Sequence, residues 1–307
     1  MKRHLPVALA AAAVLALAGC GSDPAAGAKA APVGVQPDQD VLSGVQKNEA
    51  AAALLPAEVR AAGSVKLGGA VGTPPGAYYP EGKHELSGLD VDLVNAVAKV
   101  LGITVQREDA AFETILPALG SGKYDVGTGN FGVTTARLKT IDFVTYIDDG
   151  QGFAVRADDK TLNTVTDLTQ LCGLTVGTGA GTTFEATLNA KKDVCAQAGK
   201  KPYEVKVFAD NGAVITGLQQ GRLDVVMSTI NGLRYQAAQP SAKTRFVGEF
   251  HRLDVGFAFK KGSALTPAFQ AAVNQLIKDG SYRKILAKWG TADSAIAESL
   301  ISPPEHP

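Results

Sequence analysis

The sequence predicts an α/β protein of two lobes joined by two crossing strands, and three observations lead there. Strand-like and helix-like patterns alternate over residues 65–128, the alternation that builds a largely parallel sheet. A second alternation of the same kind runs over residues 174–239. Two short Gly-containing β-like runs, 152–156 and 255–259, sit where the chain would leave the first unit and return to it. Two lobes connected in this way have a cleft between them, and such cores close around ligands by hinge motion.

The elements follow in order. Residues 65–73 read as a strand followed by the turn Pro74-Pro75-Gly76. Apolar residues at 89, 93, 94, 97, 98, 100 and 101 recur with a helical period, so 89–101 reads as a helix. Asp90 and Asp92 lie in its first turn, where negative charge suits the macrodipole, and Gly102 stops it. Strand 103–107, helix 112–119 ending at Gly120, and strand 124–128 complete the first unit. In the second, Asp167 and Leu168 lead into strand 174–178, the turn Gly179-Ala180-Gly181-Thr182 and a helix from about Thr183. Strand 203–208, helix 212–220, strand 225–229 and helix 232–239 follow. Two closing helices, 267–278 and 281–289, return to the first lobe. They put Phe269, Val273, Leu276 and Ile277 on one face and Tyr282, Ile285, Leu286 and Trp289 on another. The expected division is therefore lobe 1 over 64–152 plus 257–307 and lobe 2 over 153–256.

The chain has 307 residues, 45% hydrophobic and 20% charged, enough for two domains with sizeable cores. Lys plus Arg equals Asp plus Glu at 30 each, so no basic face points to nucleic acid. Residues 1–19 read as a secretory signal: Lys2, Arg3 and His4, then an apolar run over 5–17 too short to span a bilayer. Its end, Leu17-Ala18-Gly19-Cys20, resembles a bacterial lipobox, which implies lipidation of Cys20 (palmitate being the expected acyl chain) and a membrane anchor. Each buried CH₂ contributes about 0.8 kcal/mol, so several acyl chains hold a protein durably at the cell membrane. Residues 20–63 read as a flexible tether rich in Ala, Gly, Pro, Ser and Asp, ending in a short helix over 48–62 interrupted at Pro56. With Cys20 lipidated, Cys172 and Cys195 remain, an even pair in an oxidising compartment, and a disulfide is expected. It closes a loop of about 24 residues, worth roughly 3 kcal/mol in the chain-entropy model. No His lies near either cysteine, so no metal site is expected there, and no cofactor is expected anywhere.

The most informative stretch is Tyr124-Asp-Val-Gly-Thr-Gly-Asn-Phe-Gly-Val-Thr-Thr-Ala-Arg-Leu-Lys-Thr-Ile-Asp-Phe143. It reads as a strand, a Gly-rich turn and a one-turn helical start carrying Arg137, at the end of a strand where open α/β sheets hold ligands. Further motifs are Gly88-Leu-Asp-Val-Asp-Leu93, Phe112-Glu-Thr-Ile-Leu-Pro-Ala-Leu119, Gly122-Lys-Tyr-Asp-Val126, Gly181-Thr-Thr183, Gly221-Arg-Leu-Asp-Val-Val226 and Asp279-Gly-Ser-Tyr with Lys288-Trp-Gly290. Each alone is weak. In this order and spacing, from Ser64 to Gly290, they resemble the family 3 extracellular solute-binding proteins, the receptors of bacterial amino-acid ABC importers. The resemblance implies a two-lobed, periplasmic-binding-protein-like (type II) fold with the two crossing strands as hinge. Asp90, Asp92, Asp125 and Asp224 are expected as caps or structural hydrogen bonders.

The resemblance also implies a ligand site. Arg137 is expected to grip a ligand carboxylate through a bidentate pair that an ammonium could not offer. Thr182 and Thr183 sit at a strand-to-helix turn whose N–H groups attract the same anion. Phe112 is the expected aromatic wall, Tyr78 or Tyr79 the opposite one, and Asn130, Thr134 and Asn231 are added polar candidates. Two positions depart from the family pattern: Gly132 stands where Ser or Thr is usual, and Thr229 where an Asp is usual. In amino-acid binders both reach the ligand ammonium, and a buried ammonium without a carboxylate is costly. Either another acid substitutes, from among Asp148, Asp149 and Asp210, or the ligand is not an ordinary α-amino acid but another small acid or amine. Gly132 is expected to enlarge the pocket.

The function implied is a monomeric, lipid-anchored receptor on the extracytoplasmic face, delivering a small carboxylate-bearing polar solute, an amino acid or derivative, to an ABC permease. The alternatives are a ligand sensor for a signalling partner and a dehydratase-like enzyme on the same scaffold. No paired carboxylates or His-Asp-Ser set stands out, and His4, His84, His251 and His306 are scattered, so no enzyme is expected.

Overall fold

The computed structural model describes residues 35–306. The signal segment and Cys20 lie outside the described residues. In chain order the elements are α1 (Glu49–Ala53), α2 (Ala57–Ala62), β1 (Ser64–Gly69), α3 (Leu89–Leu101), β2 (Thr104–Asp109), α4 (Phe112–Ser121), β3 (Val126–Gly132) and β4 (Ile141–Arg156). Then come β5 (Thr175–Gly179), α5 (Thr183–Ala190), α6 (Val194–Gln197), β6 (Glu204–Phe208), α7 (Asn211–Gln219), β7 (Val225–Thr229) and α8 (Ile230–Ala237). The chain ends with β8 (Thr244–Lys260), α9 (Thr266–Asp279) and α10 (Ser281–Lys288).

The strands form one sheet in the order β2-β1-β3-β8-β4-β7-β5-β6. β1 runs parallel to β2 and β3, and β5 parallel to β6 and β7. Between these two parallel halves lie β4 and β8, an antiparallel pair in register from Ile141 opposite Lys260 to Arg156 opposite Thr244. At 16 and 17 residues they are about three times the usual strand length. β8 pairs with β3 in the first lobe, and β4 with β7 in the second. This pair is the two-strand hinge of a two-lobed type II fold. The sequence marked only its apolar centres, 152–156 and 255–259. The rest was hidden by Asp142, Asp148 and Asp149 in β4, which break the apolar run that a buried strand normally shows. The pairing shifts register at three places, near Thr145, Gln151 and Phe153, as bulged strands do.

Each lobe is a helix-covered half-sheet. Equivalent aspartates tie the starts of neighbouring parallel strands together: Asp125, just before β3, accepts from the Lys66 N–H of β1 at 2.8 Å, and Asp224, just before β7, from the Thr175 N–H of β5 at 2.8 Å. Asp92 accepts from Trp289 Nε1 at 2.7 Å and pairs with buried Lys288 at 2.8 Å, pinning α10 to α3. The core of lobe 1 is aromatic, with Tyr146, Phe257 and Phe269 in successive contact. In lobe 2, Cys172 and Cys195 form the expected disulfide beside Leu171 and Leu188.

Three expectations need correction. Residues 35–63 are not a free tether: Val41, Val45, Ala51 and Leu55 are buried in the lobe 1 core with Val97, Leu101 and Leu276. Asn48 caps α1 and donates to Gln275 on α9 at 3.0 Å. Val41 and Val45 are two apolar positions four apart, too few to give a period. Helix α4 runs past Gly120 to Gly122, whose φ of +78° supplies the left-handed cap. β3 extends through the supposed Gly-rich turn to Gly132, because its residues pair with β8 on both sides of an irregularity at Gly129 and Asn130, whose φ values are +155° and +59°.

Beyond α10, a turn over 292–294 reaches α8 of lobe 2, where Ser294 and Asn231 exchange side-chain hydrogen bonds at 2.9 and 3.1 Å. The tail then runs along β4: Leu300 and Thr145 exchange backbone and side-chain bonds, and the Ser302 N–H donates to the Phe143 carbonyl at 2.9 Å. It thereby satisfies the β4 edge that β7 does not cover.

Candidate ligand-binding cleft

The lobes enclose a cavity of about 280 Å³. Its lining includes Arg137, Thr182, Thr183, Phe112, Asn130 and Thr229 of the expected site, together with Asp149 and Asn231. Much of the remaining wall is apolar or small: Ala70, Val71, Pro75, Ala77, Leu89 and Ile147.

One end is cationic. After β3 the Thr134 hydroxyl accepts from the Arg137 N–H at 3.2 Å and starts the short helical turn that aims the side chain inward. The guanidinium donates to the Gly132 carbonyl at 2.9 Å and, across the cleft, to the Gly181 carbonyl at 3.1 Å. It lies 5.8 Å from the ring centroids of both Phe112 and Phe131, which stack on each other at 4.6 Å. Arg137 belongs to no ion pair among the described residues. Desolvation pulls its pKa down to about 10, the mark of a cation short of an anion. Facing it, α5 begins at Thr182, whose hydroxyl accepts from the Glu185 N–H at 3.2 Å and donates to the Gly179 carbonyl at 2.7 Å. That hydroxyl is occupied by the fold, but the Thr183 and Phe184 N–H groups open the helix without intrahelical acceptors. A guanidinium and an open helix N-terminus, one from each lobe, make an anion site.

The other end is anionic. Thr229 does not face the cavity as a charge substitute: its hydroxyl caps α8, accepting from the Gly232 N–H at 3.0 Å. Beside it lies Asp149 of β4, only 1% exposed. Its carboxylate accepts from Asn130 Nδ2 at 3.1 Å and from the Asn231 N–H at 3.1 Å. Burial pushes its pKa up to about 6, against the opposing pull of the Asn231 and Gly150 N–H groups, Asn130 and Arg252. Asp90 also reaches the cavity wall, buried and accepting from the Tyr146 hydroxyl at 2.9 Å. Asp210 lies at the mouth and caps α7 through the Ala213 N–H. Asp148 points elsewhere, outside the lining.

Four expected residues do not line the cavity. Tyr78 packs against Tyr235 and Trp289, and Tyr79 is half exposed with its hydroxyl donating to Asp109 at 2.7 Å. Thr134 and Gly132 act on Arg137, through its backbone and guanidinium, and not on the cavity. Gly132 does not enlarge the pocket either: a Cβ there would meet Leu253 Cδ1 at 3.0 Å, so Leu253 fills the space. Asp149 was among the weighed acids but was not singled out; its pairing across β4 and β7 is what brings it to the site.

The family model for bacterial extracellular solute-binding proteins, family 3, matches residues 65–292. The chain belongs to this family. It is 28% identical over 252 residues to the arginine-binding protein ArgT of Corynebacterium glutamicum, covering 81% of this chain and 82% of that protein. It is 26% identical over 231 residues to the L-cystine-binding protein TcyJ of Escherichia coli strain K12, covering 74% and 83%. A solved ancestral arginine-binding protein bound to arginine superposes with a TM-score of 0.66 at 33% identity, covering 74% of this chain and 98% of that one. These relatives are binding proteins, and this family 3 chain is a solute-binding protein rather than an enzyme. No His or Cys lines its cavity among the described residues. No helix among them is long and apolar enough to cross a membrane.

Proposed function

We propose that the protein is the lipid-anchored receptor of an ABC importer, tethered at Cys20 on the extracytoplasmic face, and that its cleft closes on an amino acid or close derivative. The carrying observation is Arg137, a desolvated guanidinium in the cavity wall with no counter-ion among the described residues, already reaching across to lobe 2. A carboxylate placed between it and the α5 N-terminus contacts both lobes at once. Such a ligand binds the closed state alone and so drives closure. The relatives that bind arginine and L-cystine support an amino-acid cargo and a permease partner. The lipobox-like Leu17-Ala18-Gly19-Cys20 supports the anchor.

The test is a thermal-shift screen of the full chain against amino acids, organic acids and amines. A carboxylate-bearing hit that stabilises the wild type and not Arg137→Ala supports the reading. A panel in which no carboxylate shifts the transition, or hits indifferent to Arg137, overturns it. Loss of labelled palmitate and of membrane association in Cys20→Ser tests the anchor separately.

A further inference from the structure

Residues 293–306 lie beyond the stretch matched by the family model, 65–292, yet they touch both lobes and both ends of the site. At the near end Asp293 pairs with Arg234 of α8, and fully buried Ser294 exchanges hydrogen bonds with the Asn231 side chain at 2.9 and 3.1 Å. Among the described residues that side chain has no other hydrogen-bond partner. Asn231 also lines the cavity and gives its backbone N–H to Asp149 at 3.1 Å. The turn that carries Ser294 belongs to lobe 1: the Thr291 N–H donates to the Leu286 carbonyl of α10 at 3.0 Å, and the Ile296 N–H to the Tyr282 hydroxyl at 3.0 Å. Buried Ser299 then takes its N–H to Asn274 of α9 at 2.8 Å and its hydroxyl to the Thr145 carbonyl of β4 at 2.6 Å. At the far end Glu305 accepts from the Thr135 N–H at 2.7 Å, two residues before Arg137, and His306 meets Asp254 of β8 at 2.9 Å. The contacts of 299–306 are all with lobe 1 and the hinge pair, and they survive a change in the angle between the lobes. Within this segment Asp293 and Ser294 reach lobe 2, so hinge opening parts them from α8.

We infer that residues 292–306 form a strap that favours the closed arrangement of the lobes, with Ser294 and Asp293 as positioning residues that act through Asn231 and Arg234. The inference goes beyond the receptor reading, because it concerns closure and holds whatever the cargo. With the lobes together, the Asn231 amide is buried and Ser294 satisfies both its donor and its acceptor. With the lobes apart, water can do the same. Removing the Ser294 hydroxyl therefore leaves an unpartnered amide in the closed state alone, and an unmade buried hydrogen bond counts against the state that buries it. The Asp293 pair pulls the same way but less, since its carboxylate is half exposed and Arg234 also pairs with Glu249. A ligand gripped from both lobes binds the closed state, so its apparent affinity scales with the closed fraction.

The experiment measures the closed fraction by single-molecule fluorescence transfer on the full chain, with one dye on each lobe at exposed Glu81 and Lys192. Before any amino acid is added, Ser294→Ala should lower the closed-to-open ratio about fivefold or more. Asp293→Asn, at the exposed end of the strap, should lower it less than about threefold. Calorimetric titration with the twenty proteinogenic L-amino acids and L-cystine then gives affinities. For each amino acid that binds, the loss of affinity in a variant should equal its loss of closed fraction, a match that a merely structural role would not produce. A wild type that populates no closed state before amino acid is added overturns the inference and needs no variant to fold. So does an unchanged distance distribution in the Ser294→Ala, Asp293→Asn double variant. Weaker binding at an unchanged closed fraction would mean a local effect on Asn231 and also overturns it. Binding of no amino acid at all falls on the receptor reading alone, since the closed fraction decides the strap without ligand.

Discussion

The two ends of the cleft are charged oppositely and built differently. At the Arg137 end, the side chain sits one short turn beyond its own strand, and its supports, Thr134 and Gly132, are three and five residues away in sequence. At the Asp149 end, the carboxylate is held by residues 19 and 82 positions away, on β3 and α8. Each end also places a helix N-terminus against the site, α5 opposite Arg137 and α8 against Asp149. At the first the helix is open toward the cavity. At the second its N–H groups are already taken by Thr229 and Asp149. The comparison separates two ways of making a charge usable: a cation left short of partners and exposed to a ligand from both lobes, and an anion partly satisfied by the fold and held at one place. The first supplies the grip, and the second supplies discrimination.

The largest expected effect breaks the cationic end. Arg137→Ala should weaken binding at least a hundredfold, because a desolvated bidentate pair is lost. Arg137→Lys should also lose at least tenfold, since an ammonium lacks the planar fork. Calorimetric titration checks both. A lysine variant binding like wild type would reduce the site to a point charge.

Acidification loads the anionic end. Asp149 has a pKa of about 6 in the ligand-free protein, and an ammonium pairs with its ionised form alone. Affinity should therefore hold above pH 7 and fall about tenfold by pH 5, with the Asp149→Asn variant flat over the same range. The same group acts on folding with the opposite sign. Its folded pKa lies above the ordinary 3.8, so the folded state binds the extra proton between pH 4 and 6, and ligand-free stability rises as pH falls through that window. At pH 7.5 Asp149→Asn should then stabilise the ligand-free protein by about 1–2 kcal/mol, the desolvation relieved less the hydrogen bonds weakened. Denaturant titration of both proteins at pH 7.5 and 5 reads this directly, and a variant less stable at pH 7.5 would mean that Asp149 is held for the fold.

The smallest effect sharpens the contrast between Asp149 and its neighbour. Thr229→Ala should cost about 1 kcal/mol of stability through loss of the α8 cap, with ligand affinity changed less than threefold. A large loss of affinity would put the ammonium at Thr229 after all.

The legibility of the fold followed the same division. Helix α3 was readable to the residue, because its apolar period, first-turn acids and Gly102 all lie in one segment. The disulfide followed from cysteine arithmetic, and Arg137 from the motif around it. The length of β4 and β8 was not readable, since their polar residues face neighbours from distant segments: Asp142 takes Lys261 and the Gly262 N–H, and Arg252 donates to the Asp148 carbonyl. The packing of Val41 and Val45 was hidden for the same reason. Within the site, the tyrosines failed as a wall because Tyr78 packs edge-on against Trp289, 211 positions away in the chain. Asp149 could be named as an acid from sequence, but not chosen over Asp148, because its neighbour differs only in which face of β4 it occupies. A shift of one residue exchanges the two.

The most direct measurement is a crystal structure of the protein with its tightest-binding amino acid. The account places the ligand carboxylate at about 2.7–2.9 Å from the Arg137 guanidinium and the ammonium at a similar distance from an Asp149 oxygen. A ligand bound with its carboxylate away from Arg137, or with its ammonium paired to anything but Asp149, would contradict it.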